Sequence, residues 1–453
     1  MLWGGRSVIL PSQCLPRRES CIPAALRTKP IPRNHAAEMS DDPSQPAWPP
    51  ASSADFPRIG ALPAYVFAQV NAEKQERIEA GEDVIDLGMG NPDLGTPEHI
   101  VRELVENAVD RKHHRYSASR GIYGLREGIA EHYASAYGVE LDAEREVVVT
   151  IGAKEGVSHL MLAILQTGDS VIVPQPGYPI HAYSVVFAQG RVRSVPLVGD
   201  DEGYVEGEAL LAAVEEACET SWPRPKALLL SFPNNPTTLQ ARPGFFERAV
   251  EVCRRNRLLL VHDFAYADFG FDEPPPSVLA VPGAKEIAVE FFSMSKSYCM
   301  AGWRVGFCVG NPAMVGALTK IKSYLDYGIF QPIQIAAAHA LRAGQECVAE
   351  TRETYRRRAE ALVEGLHAAG WDVPPVRATM FLWTPIPAPY VSMGSMEFAR
   401  LLLREAGVVV SPGIGFGREG EGHVRFALIE PEERLREAGE RIGRVLARAA
   451  APV

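Results

Sequence analysis

Short apolar runs alternate with amphipathic stretches along most of the chain. Six of these runs have the length of buried strands: Val147–Ile151, Ser170–Val173, Ala227–Ser231, Leu258–His262, Ile287–Phe292 and Val305–Val309. The stretches between them, such as Gly156–Leu165 and Pro243–Arg255, repeat apolar positions with the period of a helix. Strands that alternate with helices predict a mostly parallel sheet covered by helices on both faces.

The pattern changes after about residue 330, where Gln331–Leu341 and Gln345–Ala369 predict long helices. Three short apolar runs follow at Phe381–Thr384, Val408–Ser411 and His423–Ala427, and each predicts a further strand. We therefore expect an α/β large domain with its mostly parallel sheet between helices, and a smaller α+β domain.

The predicted boundaries place the large domain at residues 96–330, and the small domain at residues 56–95 together with 331–453. Residues 1–55 are rich in proline, serine and arginine and lack a helical or strand period, so we expect a disordered tail. Two other interpretations stay open for this segment: a mis-assigned start, with translation beginning at Met39, and a targeting peptide.

Composition narrows the class of protein. The formal net charge of −10 argues against nucleic acid as the main partner. Seven scattered cysteines without a Cys-x-x-Cys pair argue against a disulfide framework or a zinc site, and they favour a reducing compartment. Because no apolar stretch reaches about 18 residues, we expect no membrane span and a cytoplasmic location. We expect no metal.

The most informative stretch is Ser293–Arg304, directly after the predicted strand Ile287–Phe292. Lys296 lies there among apolar and aromatic residues, where loss of water lowers the pKa of an amine and lets it attack a carbonyl. Arg304 has the charge and the planar fork to hold a phosphate. A lysine for an aldehyde and an arginine for a phosphate together predict pyridoxal 5′-phosphate (PLP).

An acidic residue ends another predicted strand. Asp263 follows the apolar run Leu258–His262, and a carboxylate buried there needs a cation such as a protonated pyridine nitrogen. A simple helix cap is the alternative for this aspartate. The phenol of Tyr266, three residues later, is placed to reach the O3′ atom of the same ring.

Turns and strands elsewhere supply further polar groups. Gly152-Ala153-Lys154 opens a helix whose first N–H groups favour an anion. Tyr178 offers a ring for stacking, and Asn235 lies before a proline in a turn that favours a cis bond. Arg425, inside an apolar run, has a fork that fits a carboxylate. Each of these motifs, taken alone, also fits a plain turn, a packing residue or a surface residue. The order in which they all occur along the chain favours a PLP site.

Several motifs carry a closer resemblance, and they are Leu62–Phe67, Met89–Asp93, Tyr116–Gly121, Val289–Phe292 and Val410–Gly417. With the lysine motif, they make the chain similar to fold-type I PLP enzymes, specifically class I/II aminotransferases, over about residues 56–448. It most resembles bacterial alanine (glutamate–pyruvate) aminotransferases, with LL-diaminopimelate aminotransferases as near relatives. The resemblance implies an aspartate aminotransferase-like fold whose large domain binds PLP and has a seven-stranded sheet.

The resemblance also implies residue roles at the ring of the cofactor. Lys296 binds the aldehyde and shuttles a proton, and Asp263 pairs with the pyridine nitrogen. Asn235 and Tyr266 bind O3′, while Tyr178 stacks on the ring. Tyr266, Asp263 and Lys296 form the catalytic set.

Further roles concern the phosphate and the substrate. The phosphate is expected to bind at the N–H groups of Ala153 and Lys154 and at Ser293, Ser295 and Arg304. Tyr116 is expected to reach the phosphate of the neighbouring subunit, which implies a homodimer with shared sites. Arg425 clamps the substrate α-carboxylate, with Gly90 and Asn235 beside it. One departure is that Asn235-Pro236 continues with Thr237-Thr238, where the family often has Thr-Gly.

The implied reaction is PLP-dependent transamination between an α-amino acid and a 2-oxo acid, with alanine and 2-oxoglutarate as the favoured pair. LL-diaminopimelate or another amino acid is an alternative substrate, and a PLP β-lyase is an alternative reaction at the same site. A regulatory binding module would need an N-terminal DNA-binding domain, which residues 1–55 do not resemble. Four residues are candidates for the distal acid of glutamate, although a surface helix also explains them: Lys320, Lys322, Tyr324 and Tyr327.

Overall fold

A computed structural model of the chain describes residues 56, 62 and 66–450. The predicted tail at residues 1–55 lies outside the described residues. The described part contains twelve strands: β1 (Ile85–Asp86), β2 (Val147–Thr150), β3 (Ser170–Gln175), β4 (Arg191–Pro196), β5 (Pro225–Leu230), β6 (Leu259–Asp263), β7 (Ala288–Ser293), β8 (Gly306–Gly310), β9 (Phe381–Pro385), β10 (Val408–Val409), β11 (Ser411–Pro412) and β12 (His423–Ala427).

Thirteen α-helices accompany these strands in the same described residues. They are α1 (Val66–Glu79), α2 (Glu98–Ala108), α3 (Tyr123–Tyr137), α4 (Ala153–Ile164), α5 (Pro179–Phe187), α6 (Gly207–Thr220), α7 (Phe245–Asn256), α8 (Met294–Ser297), α9 (Pro312–Leu325), α10 (Gln331–Arg342), α11 (Glu346–Ala368), α12 (Gly394–Leu401) and α13 (Glu432–Ala450). None of the described helices is both long enough and apolar enough to cross a lipid bilayer.

The large sheet has seven strands in the order β2-β8-β7-β6-β5-β3-β4. Strand β8 runs antiparallel to both of its neighbours, and the other neighbouring pairs are parallel. The predicted fold class, a mostly parallel seven-stranded sheet between helices, is therefore confirmed.

Alternate residues of the apolar strands pack on opposite faces of this sheet. Val147 and Val149 join one apolar cluster, whereas Val148 joins the cluster on the other side. Leu228 and Leu229 divide in the same way. Because both faces are covered, these strands are continuously apolar, which is the pattern that the sequence shows.

Strand β4 (Arg191–Pro196) is absent from the strands predicted by the apolar runs. It lies at the edge of the sheet, paired only with β3 among the described strands, and most of its residues are exposed or half-buried. A strand at an exposed edge carries polar side chains, so it leaves no apolar run to recognise.

The second, smaller part of the fold contains an antiparallel sheet in the order β11-β12-β9 and a two-stranded parallel pair, β1 and β10. The predicted strand Val408–Ser411 is divided in two. Val408–Val409 pairs with β1, and Ser411–Pro412 pairs with β12. The boundaries predicted for the large and small domains stay a prediction.

Many of the predicted site residues lie at one edge of the large sheet. Strands β2, β3, β5, β6 and β7 point the same way, so their carboxyl ends meet at this edge. Gly306, the first residue of the reversed strand β8, pairs with both Thr150 and Ser293 there. Residues that end one strand or begin the reversed one are therefore brought together.

Candidate active site

Lys296 lies one turn beyond the carboxyl end of β7. Ser293 ends that strand and caps the short helix α8, because its hydroxyl accepts a hydrogen bond from Ser295 N. The Lys296 amine donates to Gly90 O at 3.1 Å. Burial, followed by the positive charges of Arg425 and Arg304, lowers the pKa of Lys296 to about 7. Near neutral pH, much of this amine is therefore uncharged and able to act as a nucleophile or base.

Asp263 ends β6 and is buried. Its Oδ2 atom lies 2.8 Å from Nε2 of the buried His181. Its other oxygen, Oδ1, is buried and has no hydrogen-bond partner within the part of the chain that the structure describes. A buried carboxylate oxygen without a partner is costly, so this position suits a cationic N–H group such as a protonated pyridine.

An anion cup forms between β2 and α4. Gly152 has a φ of +75°, and a Cβ atom there would lie 2.5 Å from Nη2 of Arg304. The backbone and the guanidinium can come this close only because residue 152 is a glycine. Ala153 and Lys154 begin α4 and line the same cleft. Because an α-helix leaves its first four N–H groups without intrahelical partners, these two N–H groups are available to an anion.

Arg425 is buried in the middle of β12. Its Nη1 donates to Asn235 Oδ1 at 2.8 Å, and its Nη2 donates to Gly88 O at 3.0 Å. The guanidinium carbon lies 4.0 Å from the centre of the Phe381 ring and 4.6 Å from that of Phe416. These contacts hold the guanidinium in one orientation, as bidentate binding of a carboxylate requires.

Two tyrosines complete the predicted set. Tyr178 precedes α5, and its ring makes an edge contact with the His181 ring, with centroids 5.8 Å apart. Tyr266 is buried, which raises the pKa of its phenol well above the usual range. The amine of Lys296 lies 6.0 Å from the centre of the Tyr266 ring.

Twelve of the thirteen predicted site residues line one cleft of about 800 Å³, and they are Gly90, Ala153, Lys154, Tyr178, Asn235, Asp263, Tyr266, Ser293, Ser295, Lys296, Arg304 and Arg425. A smaller cavity of about 260 Å³ around Tyr204 and Pro243 shares none of these residues. Tyr116 is the exception: it is 87 % exposed, and its ring contacts that of Tyr327 in a tilted arrangement with centroids 4.8 Å apart.

The turn after β5 departs from the usual family sequence at Thr238. This threonine has a φ of +63°, a conformation that glycine adopts without strain. The Asn235–Pro236 bond is cis, as its motif predicts. Asn235 nevertheless reaches Arg425, so the departure leaves this contact in place.

Sequence reasoning missed His181 and the aromatic pair around Arg425. His181 follows Tyr178 by three residues on α5, but a histidine in that position carries no recognisable pattern. Phe381 was assigned only to a strand, and Phe416 only to a motif. None of the four candidates for a distal carboxylate lines the cleft. Lys320, Tyr324 and Tyr327 are exposed, and Lys322 is buried in ion pairs.

Comparison with known proteins defines the class. The family model for aminotransferases of class I and II matches residues 82–442, and the chain belongs to this family. The family is PLP-dependent, so the predicted cofactor and enzyme class are confirmed. The residues present fit the cofactor, since Asp263 Oδ1, the anion cup and the Lys296 amine each match one of its groups.

Individual relatives are similar over most of their length. The chain is 52 % identical over 384 residues to the glutamate–pyruvate aminotransferase AlaC of Escherichia coli strain K12, covering 84 % of this chain and 92 % of that one. It is 40 % identical over 390 residues to the LL-diaminopimelate aminotransferase of Moorella thermoacetica, covering 86 % and 97 %. A structure of Thermus thermophilus aspartate aminotransferase (a single mutant) matches with a TM-score of 0.78 and 31 % identity, covering 86 % and 98 %.

Proposed function

We propose that this aminotransferase moves the amino group of alanine to 2-oxoglutarate, giving pyruvate and glutamate. The observation that carries the choice of substrate pair is the 52 % identity to a glutamate–pyruvate aminotransferase, across 92 % of that enzyme. The geometry supports an α-amino acid in general, because Lys296 and Arg425 line the same cleft as an amine and a carboxylate clamp.

The roles of the site residues follow as proposals from their positions. When bound, PLP supplies an aldehyde that condenses with amines and a pyridine ring that withdraws electrons. Arg425, oriented by Asn235 and Gly88, binds the α-carboxylate. Lys296, with its lowered pKa, takes the proton from Cα as a general base. Asp263, oriented by His181, holds a proton on the pyridine nitrogen.

A dimer completes the proposed site. Tyr116 lies outside the cleft of its own subunit and belongs to an exposed aromatic patch with Tyr327 and Phe330. The ring of His114 contacts that of Phe330, and Ser117 pairs with Gly328, so the patch is continuous. An exposed patch of this kind is typical of a protein interface. We propose that it brings Tyr116 to the phosphate of the partner subunit.

A half-reaction screen tests the substrate. Enzyme loaded with PLP is mixed separately with alanine, glutamate, aspartate and LL-diaminopimelate, and the decay of the bound cofactor's absorbance is followed. We expect alanine and glutamate to react fastest. No response to either would contradict the proposed pair, and a faster reaction of LL-diaminopimelate would favour the second candidate.

Two controls separate the reaction type. The Lys296→Ala variant should lose transamination, because it lacks the amine that takes the Cα proton, and turnover like that of the wild type would reject the assignment. Cysteine conjugates without any 2-oxo acid test the β-lyase alternative. Release of pyruvate and ammonia under those conditions would favour the lyase over the aminotransferase reaction.

A further inference from the structure

A buried ion-pair cluster lies directly behind the anion cup. Glu155, in the first turn of α4, accepts a hydrogen bond from Ile151 N at 2.8 Å through its Oε2 atom. On the other side of the same residue, Arg304 Nη2 donates to Ile151 O at 3.5 Å. Ile151 immediately precedes Gly152, so Glu155 fixes the backbone that shapes the cup.

Lys322 holds Glu155 from the opposite side. This lysine, on α9, is only 1 % exposed. Its amine donates to Glu155 Oε1 at 2.9 Å and to Asp326 Oδ1 at 3.0 Å. A buried ammonium is costly unless it is paired, and here both partners are carboxylates. His159 also contacts the Glu155 carboxylate.

The charge of Glu155 matters because an anion is expected nearby. Burial alone would raise the pKa of Glu155, but the contact with His159 and the charge of Lys322 lower it to about 2. Glu155 is therefore negative at neutral pH, and it lies in the same first turn of α4 as the predicted phosphate donors. Without a compensating cation, this charge would repel a phosphate in the cup.

We propose that Lys322 is a positioning residue for the phosphate of the cofactor. It holds Glu155 where that side chain fixes Ile151, and its positive charge offsets the negative charge of Glu155 behind the cup. The effect reaches the phosphate through Glu155 and the backbone, since Lys322 itself does not line the cleft. The proposal rests on the proposed phosphate site and is independent of which amino acid the enzyme prefers.

Binding to the apoenzyme tests this role without relying on turnover. The dissociation constants of PLP and of pyridoxal, which lacks the phosphate, are measured for the wild type and for Lys322→Met. We expect PLP to bind about tenfold more weakly to the variant, within the usual range of coupling between two sites. Pyridoxal should bind equally well to both proteins. Lys285→Met is the matched control, because Lys285 pairs with Glu146 at 3.0 Å outside the cleft.

A second substitution separates charge from packing. Glu155→Gln keeps an oxygen that can accept from Ile151 N but removes the negative charge. The double variant Glu155→Gln, Lys322→Met should therefore recover most of the lost PLP affinity, which a purely structural role of Lys322 would not produce. An equal loss for PLP and pyridoxal, or no recovery in the double variant, would overturn the proposal.

The single variant Glu155→Gln provides a test that does not depend on the folding of Lys322→Met. If Lys322→Met does not fold, Glu155→Gln still carries the test, because it leaves Lys322 paired with Asp326. We expect its PLP affinity to equal or exceed that of the wild type. A selective loss of PLP binding in this variant, with pyridoxal unaffected, would contradict the proposed charge compensation.

Discussion

At the scale of single residues, the environment of Lys296 explains its chemistry. The apolar neighbours in sequence predicted that the amine would lose water, and burial is indeed the largest cause of its lowered pKa. The positive charges of Arg425 and Arg304 add to this effect, and the share of Arg425 depends on the fold because this residue lies far along the chain. The sequence could therefore predict the direction of the shift but not all of its sources.

The titration of Lys296 can be observed in the apoenzyme. Acetic anhydride modifies neutral amines, so the modification rate of Lys296, read by mass spectrometry, should rise with pH around a midpoint near 7. The folded pKa lies below the ordinary value of 10.5, which means that the neutral form predominates above pH 7. In urea, the same lysine should titrate near 10.5. A midpoint near that value in the folded protein would contradict the lowered pKa.

His181 illustrates what residue-level reasoning could not find. The position of Asp263 predicted a cationic partner, because an apolar strand that ends in a carboxylate needs one. The structure adds a second partner, His181, from a helix that follows a different strand. This pairing depends on how β3 and β6 lie within one sheet, which local sequence does not encode.

At the scale of elements, the turn between β2 and α4 depends on one glycine. Gly152 combines a φ of +75° with a ψ of 160°, a conformation accessible almost only to glycine. It also lies against Arg304, so a side chain at this position would displace the guanidinium. The sequence predicted this turn as an anion site, and the structure adds the close approach of the arginine.

Two alanine variants measure the effect of the close contact between Gly152 and Arg304. Gly394 is the matched control, since it has a φ of +80° and a ψ of 162°, but a Cβ atom there would be 3.5 Å from its nearest neighbour. Both Gly152→Ala and Gly394→Ala should lose about 1–3 kcal/mol of folding stability from backbone strain. Only Gly152→Ala should also weaken PLP binding, as measured by titration of the apoenzyme. Equal PLP affinities for the two variants would contradict the role of the contact.

The predicted and observed strands differ where the chain passes from one sheet to another. The inner strands were predicted to within about two residues, because both of their faces are buried and the apolar runs are continuous. The run Val408–Ser411 was predicted as one strand, but the backbone passes from one sheet to another at Val410. Such a transfer between sheets leaves the local hydrophobic pattern unchanged.

At the scale of the whole molecule, the proposed dimer follows from Tyr116. This tyrosine is exposed and lies outside the cleft, yet the family resemblance assigns it to the phosphate. Both observations are explained if the Tyr116 side chain enters the site of the partner subunit. The aromatic patch around Tyr116 and Tyr327 then becomes the interface that builds both sites.

Mixing two inactive variants tests the shared site. Tyr116→Ala and Lys296→Ala should each be inactive or strongly impaired. A heterodimer of the two contains one complete site, formed by Lys296 of one subunit and Tyr116 of the other. Random reassociation of equal amounts should restore about a quarter of the wild-type activity, because half of the dimers are mixed and each has one complete site of two. Activity no higher than the average of the separate variants would contradict a shared site.

The backbone from Gly88 to Gly90 has a consequence for protein engineering. Gly88 O accepts from Arg425, and Gly90 O accepts from Lys296, so one short stretch of main chain holds both the proposed substrate clamp and the proposed reactive amine. Side chains cannot be added there without collision, since a Cβ atom at Gly90 would lie 2.6 Å from the Phe381 ring. Changes of substrate preference that alter Arg425 will therefore disturb the Lys296 amine as well if residues 88–90 also change. Libraries should leave residues 88–90 unchanged and introduce diversity at the outer walls of the cleft.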